Sequence, residues 1–297
     1  MAQFSWGIGM SVADRRDRGA ILALTGPAYL WLTATIFLPL SAMLYCSVLE
    51  KSPLVPAPAS FTLKHYANFI DKPVYQQLML WSLELGAVVT FFCLLVGYPA
   101  ALTLAKVVKG RWREALFLLV VLPFWSNALV RTFSWTMVLR PGGLADQAIH
   151  VVAPDAPALN ILYSYPAVVI GLVHSYLPYM ILTCYISLQA IDDSVIEAAR
   201  SLGAKPFQLL RRVIFPMSLP GVLAGSALIF VPAVGSFMEP RILGGAKGAT
   251  LGMAIEEQFT VTANWPFGGA LSFMMLAAVL LICLILYPFA RKRMQGL

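Results

Sequence analysis

Charged residues are scarce in this 297-residue chain, because Asp, Glu, Lys and Arg together make up only 12% of it. Hydrophobic residues make up 59%, and the mean hydropathy is +0.77. Soluble domains carry about 25% charged residues, so this composition excludes a soluble globular class. The sequence therefore predicts an all-α, polytopic membrane protein.

Cysteine and histidine are also few, and their spacing argues against a metal site. The four cysteines lie in apolar runs without a CxxC pair: Cys46, Cys93, Cys184 and Cys283. Of the three histidines, only His174 falls in such a run, where a packing role is favoured over a ligand role. The Gly-Gly pairs lack the strand, helix and lysine of a phosphate-binding loop. We predict that this chain binds neither a metal nor a nucleotide.

Six apolar runs are each long enough to cross a hydrocarbon core of roughly 30 Å. They cover residues 21–48, 78–105, 115–139, 161–188, 216–238 and 267–290. Pro123 interrupts the third run, and the helix breakers Pro216 and Pro220 are expected to separate the fifth from the loop before it. The sequence thus predicts one six-helix domain over residues 21–290, between an N-terminal segment (1–20) and a basic tail (291–297).

Basic residues are concentrated on one side of these runs, which sets the orientation, because Lys and Arg accumulate on cytoplasmic loops. Fourteen of the 21 lie there: Arg15, Arg16, Arg18, Lys106, Lys109, Arg111, Arg113, Arg200, Lys205, Arg211, Arg212, Arg291, Lys292 and Arg293. Both termini and the loop 190–217 are therefore predicted to be cytoplasmic. The same bias explains much of the net charge of +7, and nucleic acid is not needed as a partner.

The loop 190–217 is the one long polar stretch between apolar runs. Ser194 and Glu197 match a capping box, and Gly203 stands where a helix ends in the left-handed conformation. Helical spacing places four apolar residues on one narrow face: Val195, Ala198, Ala199 and Leu202. Pro206 is expected to open a second short helix over 207–213. Two interpretations stay open, an amphipathic helix at the membrane surface or a docking element for a partner.

A helix-turn-helix DNA reader has a similar pattern, but both ends of this loop enter the bilayer within a few residues. No separate core is left to carry such a motif onto a duplex. Two further classes are weighed. A secondary transporter needs matched broken helices and a carboxylate cluster at mid-membrane, and a membrane enzyme needs a convergent catalytic group. Neither pattern is found in the sequence.

Glu197-Ala198-Ala199, then Gly203, then Val213-Ile214-Phe215-Pro216 resembles the EAA loop of bacterial ABC importer permeases. In that family the loop is the coupling helix, to which a cytoplasmic ATPase binds. The resemblance implies ATPase coupling by seven residues: Glu197, Ala198, Ala199, Ser201, Leu202, Gly203 and Ala204. It also implies a second permease of similar fold, two copies of the ATPase, which bind ATP and Mg, and a periplasmic substrate-binding protein. The resemblance further implies the bacterial inner membrane as the setting.

A second set of motifs is similar to the spermidine/putrescine permease group within that family. The motifs are Leu122-Pro123-Phe124-Trp125-Ser126, Leu129-Val130-Arg131-Thr132 and Asn264-Trp265-Pro266-Phe267-Gly268. This resemblance implies a polyamine as the transported solute. Arg241 departs from it, because the group tends to have an acidic residue there, and a guanidinium at the outer mouth repels a polycation. A zwitterionic or anionic solute, such as an amino-acid or opine-type conjugate, stays open as the alternative.

The expected solute path is built from charged and aromatic residues within or beside the apolar runs, because such charges usually face a bundle interior or wet cavity. The candidates are Glu84, Trp125, Arg131, Trp135, Tyr176, Tyr179, Glu239 and Arg241. Aromatic walls can guide amines by cation–π contact. For Glu84 and Arg131 a structural ion pair with each other is an equal alternative, and the aromatics are also ordinary interface anchors.

Overall fold

The computed structural model describes residues 13–54, 58, 60–155 and 157–295, and within them the chain is helical without a β-strand. The helices are α1 (Ala13–Ser47), α2 (Lys64–Asp71), α3 (Pro73–Leu102), α4 (Arg111–Val121), α5 (Ala128–Leu139), α6 (Leu144–Val152), α7 (Tyr165–Gln189), α8 (Asp193–Ser201), α9 (Pro206–Leu209), α10 (Phe215–Val234), α11 (Leu251–Thr260) and α12 (Trp265–Gln295). The predicted all-α class is confirmed. Residues 1–12 of the predicted N-terminal segment and 296–297 of the tail lie outside the described residues.

Five described helical stretches are long and apolar enough to cross a membrane: Thr25–Ser47, Pro73–Val107, Tyr165–Gln189, Pro206–Val234 and Trp265–Pro288. The third predicted span, 115–139, is not one straight helix. It is replaced by Arg111–Trp125 and Ala128–Val152, which meet at 98° and count as a sixth span only if the bent pair is taken together. A 3₁₀ turn at Leu122–Trp125 carries Pro123, which has no N–H to continue an α-helix.

The centre of the fold is a three-helix contact in which α3, α7 and α10 all pack against one another. Val89, Met180 and Ile229, one from each helix, are fully buried. Gly221 and Gly225 lie one turn apart on α10, and a Cβ at either position would overlap Thr183 of α7. Small residues at this spacing let two membrane helices approach closely, so van der Waals contact stabilises the pair.

The fifth span begins ten residues earlier than predicted, because Pro216 and Pro220 do not break it. Helix runs from Pro206 to Val234 through a π segment at Leu210–Ile214, where the Phe215 N–H bonds to the Leu210 carbonyl. In a bilayer every backbone group must find a partner, which favours a locally widened helix over a break. The span also ends at Val234, and π and 3₁₀ turns then lead to α11.

A second packing group surrounds the central three helices. Helix α12 packs against α1, α2 and α11, and Phe267 and Leu271 of α12 are buried with Phe69 and Leu251. The Leu251 N–H donates to the Ser82 hydroxyl at 2.9 Å, which fixes the start of α11 against α3. These contacts hold the segment 235–250 between the two groups, and this segment supplies part of both cavities described below.

Candidate functional sites

Helix α8 is the core of the loop 190–217, and its start differs from the predicted capping box. The N-cap is Asp192, whose carboxylate accepts a hydrogen bond from the Ser194 N–H at 2.9 Å, so the helix begins before Ser194. That bond lowers the pKa of Asp192 below its usual value. An aspartate caps at least as well as a serine, and it stood two residues upstream.

The C-terminal end of α8 agrees with the prediction. Gly203 has φ +82, in the left-handed region. Its N–H bonds to the Arg200 carbonyl at 2.9 Å, and the Ala204 N–H bonds to the Ala199 carbonyl at 3.1 Å. These two bonds form a Schellman motif, which satisfies the last carbonyls of the helix and turns the chain sharply toward α9.

The predicted apolar face of α8 is divided by its packing. Ile196 is buried at 7% exposure and anchors the helix to the central core, with Ala199 half-buried beside it. Val195, Ala198 and Leu202 point away from the chain, and Leu202 is 89% exposed. Of the other coupling candidates, Glu197, Ser201 and Gly203 are exposed and Ala204 is half-buried. Ile196 was not among the residues predicted from the sequence, although Ile196 and Ala199 are at helical spacing.

A cavity with both charged and aromatic side chains in its lining has a volume of about 440 Å³. It lies between the start of α5, the middle of α7 and the segment after α10. Its lining includes Phe124, Ser126, Arg131, Ser175, Tyr176, Tyr179, Ser236, Phe237, Met238 and Glu239. We call it the Glu239 cavity. Both an acidic and a basic side chain reach it.

The two charges of the Glu239 cavity have different surroundings. The Glu239 side chain is only 7% exposed, and its carboxylate accepts a hydrogen bond from the Ser236 hydroxyl at 2.9 Å. Arg131 Nη1 donates to the Pro123 carbonyl at 2.8 Å and to the Ser126 hydroxyl at 3.3 Å. The guanidinium therefore closes the bent turn between α4 and α5. It does not pair with Glu84, so the structural ion pair considered from the sequence is not formed.

Four of the eight path candidates meet in this cavity: Arg131, Tyr176, Tyr179 and Glu239. Trp125 is 82% exposed and lies outside it, and the Trp135 N–H donates to His174 at 3.3 Å. Glu84 lines a separate, smaller cavity. Phe124, which meets Tyr179 edge-to-face at 4.7 Å, and Ser236 were missed. Phe124 lies inside a motif that the sequence had singled out, whereas Ser236 gave no signal.

Arg241 forms an ion pair with Glu256, outside the Glu239 cavity. Its guanidinium pairs with the Glu256 carboxylate of α11 at 2.5 Å, and Arg241 is absent from the lining of the Glu239 cavity. Its side chain is about half exposed, so solvent weakens the pair. The positive charge that set this chain apart from polyamine permeases is thus offset by an adjacent carboxylate.

A bent span beside a three-helix core, an anchored surface helix and an internal polar cavity fit a transporter subunit. Residues 97–292 match the family described as the inner membrane component of binding-protein-dependent transport systems. The chain belongs to this family, and it is a permease subunit of an ABC importer.

The matches to individual proteins are narrower. The chain is 35% identical over 261 residues to the spermidine/putrescine transport system permease protein PotB of Haemophilus influenzae, covering 88% of this chain and 90% of that protein. The protein of the same name from Escherichia coli is 34% identical, with coverage of 88% and 94%. The crystal structure of a bacterial ABC transporter that imports the acidic polysaccharide alginate superimposes with a TM-score of 0.70 at 15% identity, covering 94% and 98%. That last likeness supports the fold alone.

Proposed function

We propose that this chain is the permease subunit of an importer for polyamines such as spermidine and putrescine. The buried Glu239 carboxylate carries the proposal, because it lies in a cavity walled by Tyr176, Tyr179 and Phe124. A carboxylate beside aromatic faces suits an organic ammonium, which gains both charge pairing and cation–π contact. The names of the 34–35% identical relatives agree with this cargo.

The basic residues near the path do not oppose this cargo. Arg131 is held to Pro123 and Ser126, where it supports the bend, and Arg241 is paired with Glu256. Glu239, by contrast, has a neutral hydroxyl as its hydrogen-bond partner and forms no ion pair within the described residues. A zwitterionic or anionic solute remains the second candidate, since Arg131 also lines the cavity.

The exposed face of α8 is proposed as the contact for the ATPase. Val195, Ala198 and Leu202 form a narrow apolar stripe on a helix of nine residues, and Gly203 beside it offers backbone without a side chain. Such a helix fits a groove on a partner. ATP and Mg then bind the ATPase, whose closure shifts the permease between its two openings.

The proposed assembly contains this chain, a second permease of similar fold, two copies of the ATPase and a periplasmic binding protein. Both termini and the loop 190–217 face the cytoplasm. A cysteine introduced at the exposed Ser201 is expected to cross-link to the ATPase from the cytoplasmic side. If a membrane-impermeant reagent added outside the cell modifies that cysteine, this orientation is wrong.

Uptake measurements on the complete complex in proteoliposomes test the cargo. We expect labelled spermidine and putrescine to be taken up, and amino acids and opine-type conjugates to be left outside. Glu239→Gln is expected to lower polyamine uptake at least tenfold, an effect of about 1.4 kcal/mol. Glu257→Gln is the matched control, because Glu257 is exposed on α11 outside the Glu239 cavity. Uptake of an anionic solute in place of polyamines would support the second candidate.

A further inference from the structure

A second cavity lies where α3, the start of α7 and the segment before α11 meet. Its volume is about 170 Å³, and its lining includes Trp81, Glu84, Tyr165 and Thr250. We call it the Glu84 cavity. Trp81 and Glu84 are three residues apart on α3, so both side chains lie on the same face of that helix. None of the residues lining the Glu84 cavity lines the Glu239 cavity.

Two polar groups of the Glu84 cavity have no partner among the residues that the structure describes. Glu84 is exposed, and its carboxylate forms no hydrogen bond or ion pair there, whereas the Tyr165 hydroxyl is buried and has no hydrogen-bond partner. Leaving a buried hydroxyl unpaired costs folding free energy, and a carboxylate on a membrane helix is costly unless it faces a wet cavity or a cation. Both groups are therefore free to bind a ligand that donates hydrogen bonds.

We propose that the Glu84 cavity binds a primary ammonium group and is a second amine site, distinct from the Glu239 cavity. An ammonium has three N–H donors. The Glu84 carboxylate and the Tyr165 oxygen accept two of them, and the face of Trp81 contributes cation–π attraction. A cavity of about 170 Å³ takes an amine end with its adjoining methylenes. The inference rests on the proposed function, since it requires an amine as cargo.

Hydrogen bonds connect the linings of the two cavities. Thr250 lines the Glu84 cavity, and its hydroxyl donates to the Ser236 carbonyl at 3.1 Å. Ser236 lines the Glu239 cavity and donates its own hydroxyl to Glu239. Two hydrogen bonds thus join the lining of one site to the carboxylate of the other. Several moderate sites in series let a cation enter readily and still leave, which one deep site would prevent.

Equilibrium binding of labelled putrescine tests the second site, using the complete membrane complex without its binding protein. We expect Glu84→Gln to lower the amount bound at saturation by one putrescine per copy of this chain. Trp81→Leu is expected to weaken binding at that site about tenfold while the carboxylate remains, an effect of about 1.4 kcal/mol. Glu257→Gln, which makes the same charge change outside both cavities, should bind as the wild type does.

The outcomes separate this inference from the proposed function. Suppose that the wild-type complex takes up putrescine and that Glu84→Gln binds as much putrescine as Glu257→Gln does. This result would overturn the second site and leave the polyamine importer intact. Wild-type complex that neither binds nor takes up any amine overturns the proposed function instead. If Glu84→Gln prevents assembly with the second permease, Trp81→Leu decides, and unchanged binding in that assembled variant overturns the second site.

Discussion

Lys106, at the end of the second span, binds the start of α8 through two hydrogen bonds from one ammonium group. Its Nζ donates to Asp193 Oδ1 at 2.8 Å and to the Ile191 carbonyl at 2.6 Å. The Lys106 side chain is 14% exposed, whereas that of Asp193 is 75% exposed. This contact joins α8 to a span that is remote in sequence, so a movement of α8 reaches α3 directly as well as α7 and α10.

Replacing Lys106 by Met is expected to loosen this connection. We expect ATP hydrolysis by the complex to continue while uptake per ATP hydrolysed falls several-fold, because α8 then moves without drawing α3 with it. Lys109→Met is the matched control, since Lys109 forms no ion pair within the described residues. An equal uptake-to-hydrolysis ratio in the two variants would show that the contact does not transmit movement.

Acid is expected to weaken the same region. The hydrogen bond from Lys106 lowers the pKa of Asp193, and the Ser194 N–H lowers that of Asp192. A carboxyl whose pKa is depressed on folding stabilises the fold fully above its unfolded value, about 3.9. This contribution is lost as the pH falls through the lower, folded values. Hydrogen exchange of amides 194–203, corrected for intrinsic rates, should therefore increase below about pH 4, and less so in Asp193→Asn.

Gly203→Asp is expected to leave membrane insertion intact and to uncouple ATP hydrolysis from uptake. Apart from its two chain neighbours, no described residue has a heavy atom within 4 Å of a Cβ built at Gly203, so the added side chain would disturb a docked partner and not this fold. Gly142→Asp, in a loop on the other side of the spans, is the control, because Gly142 also has a positive φ, +71, and open space. Aspartate tolerates the left-handed conformation better than most residues. Unchanged coupling in Gly203→Asp would argue strongly against docking at α8.

The two apolar sides of α8 should respond differently to truncation. Ile196→Ala empties a buried position and is expected to cost about 2 kcal/mol of stability, the low end for such a change. Leu202→Ala removes an exposed side chain, so the melting temperature of the purified permease should stay unchanged while copurification of the ATPase decreases. Loss of stability in Leu202→Ala, or full ATPase recovery with it, would contradict this division.

Neutralising Arg241 is expected to leave polyamine uptake within about twofold of wild type. Arg241 pairs with Glu256 and does not line the Glu239 cavity, so its charge is compensated outside the path; an exposed pair of this kind contributes about 0–1 kcal/mol. Uptake kinetics of Arg241→Gln and of the Arg241→Gln, Glu256→Gln double variant provide the measurement. A large gain in polyamine uptake by Arg241→Gln alone would show that the guanidinium does face the solute.

The local structure of the loop 190–217 could be predicted from the sequence where a single residue determines the backbone geometry. Gly203 ends α8 in the left-handed conformation, as predicted, because few other residues adopt it at low cost. The helix start was wrong, since Asp192 and Ser194 are both good caps and sequence does not rank them. The inward role of Ile196 depends on tertiary packing that periodicity alone does not assign.

The course of the spans and the arrangement of the cavities could not be predicted from the sequence, because they depend on tertiary packing and on the bilayer. Pro216 and Pro220 read as breakers by the rules of soluble helices, but the bilayer and close packing keep α10 continuous. Pro123 indicated an interruption of the third span, but the 98° bend between Trp125 and Ala128 and the hydrogen bonds of Arg131 depend on tertiary packing. The candidate charges Glu84, Arg131 and Glu239 could be named from the sequence, whereas their distribution over two cavities requires the fold.

The π segment at Leu210–Ile214 sets the direction in which the loop leaves the membrane. A π turn holds one residue more than a regular α turn, and one residue corresponds to about 100° of rotation around a helix axis. With regular winding, the same sequence would carry Leu209 and the preceding α8 about a quarter-turn around the span, away from the core that now buries Leu209 and Ile196. The one extra residue of the π turn thus determines on which side of the fifth span α8 lies.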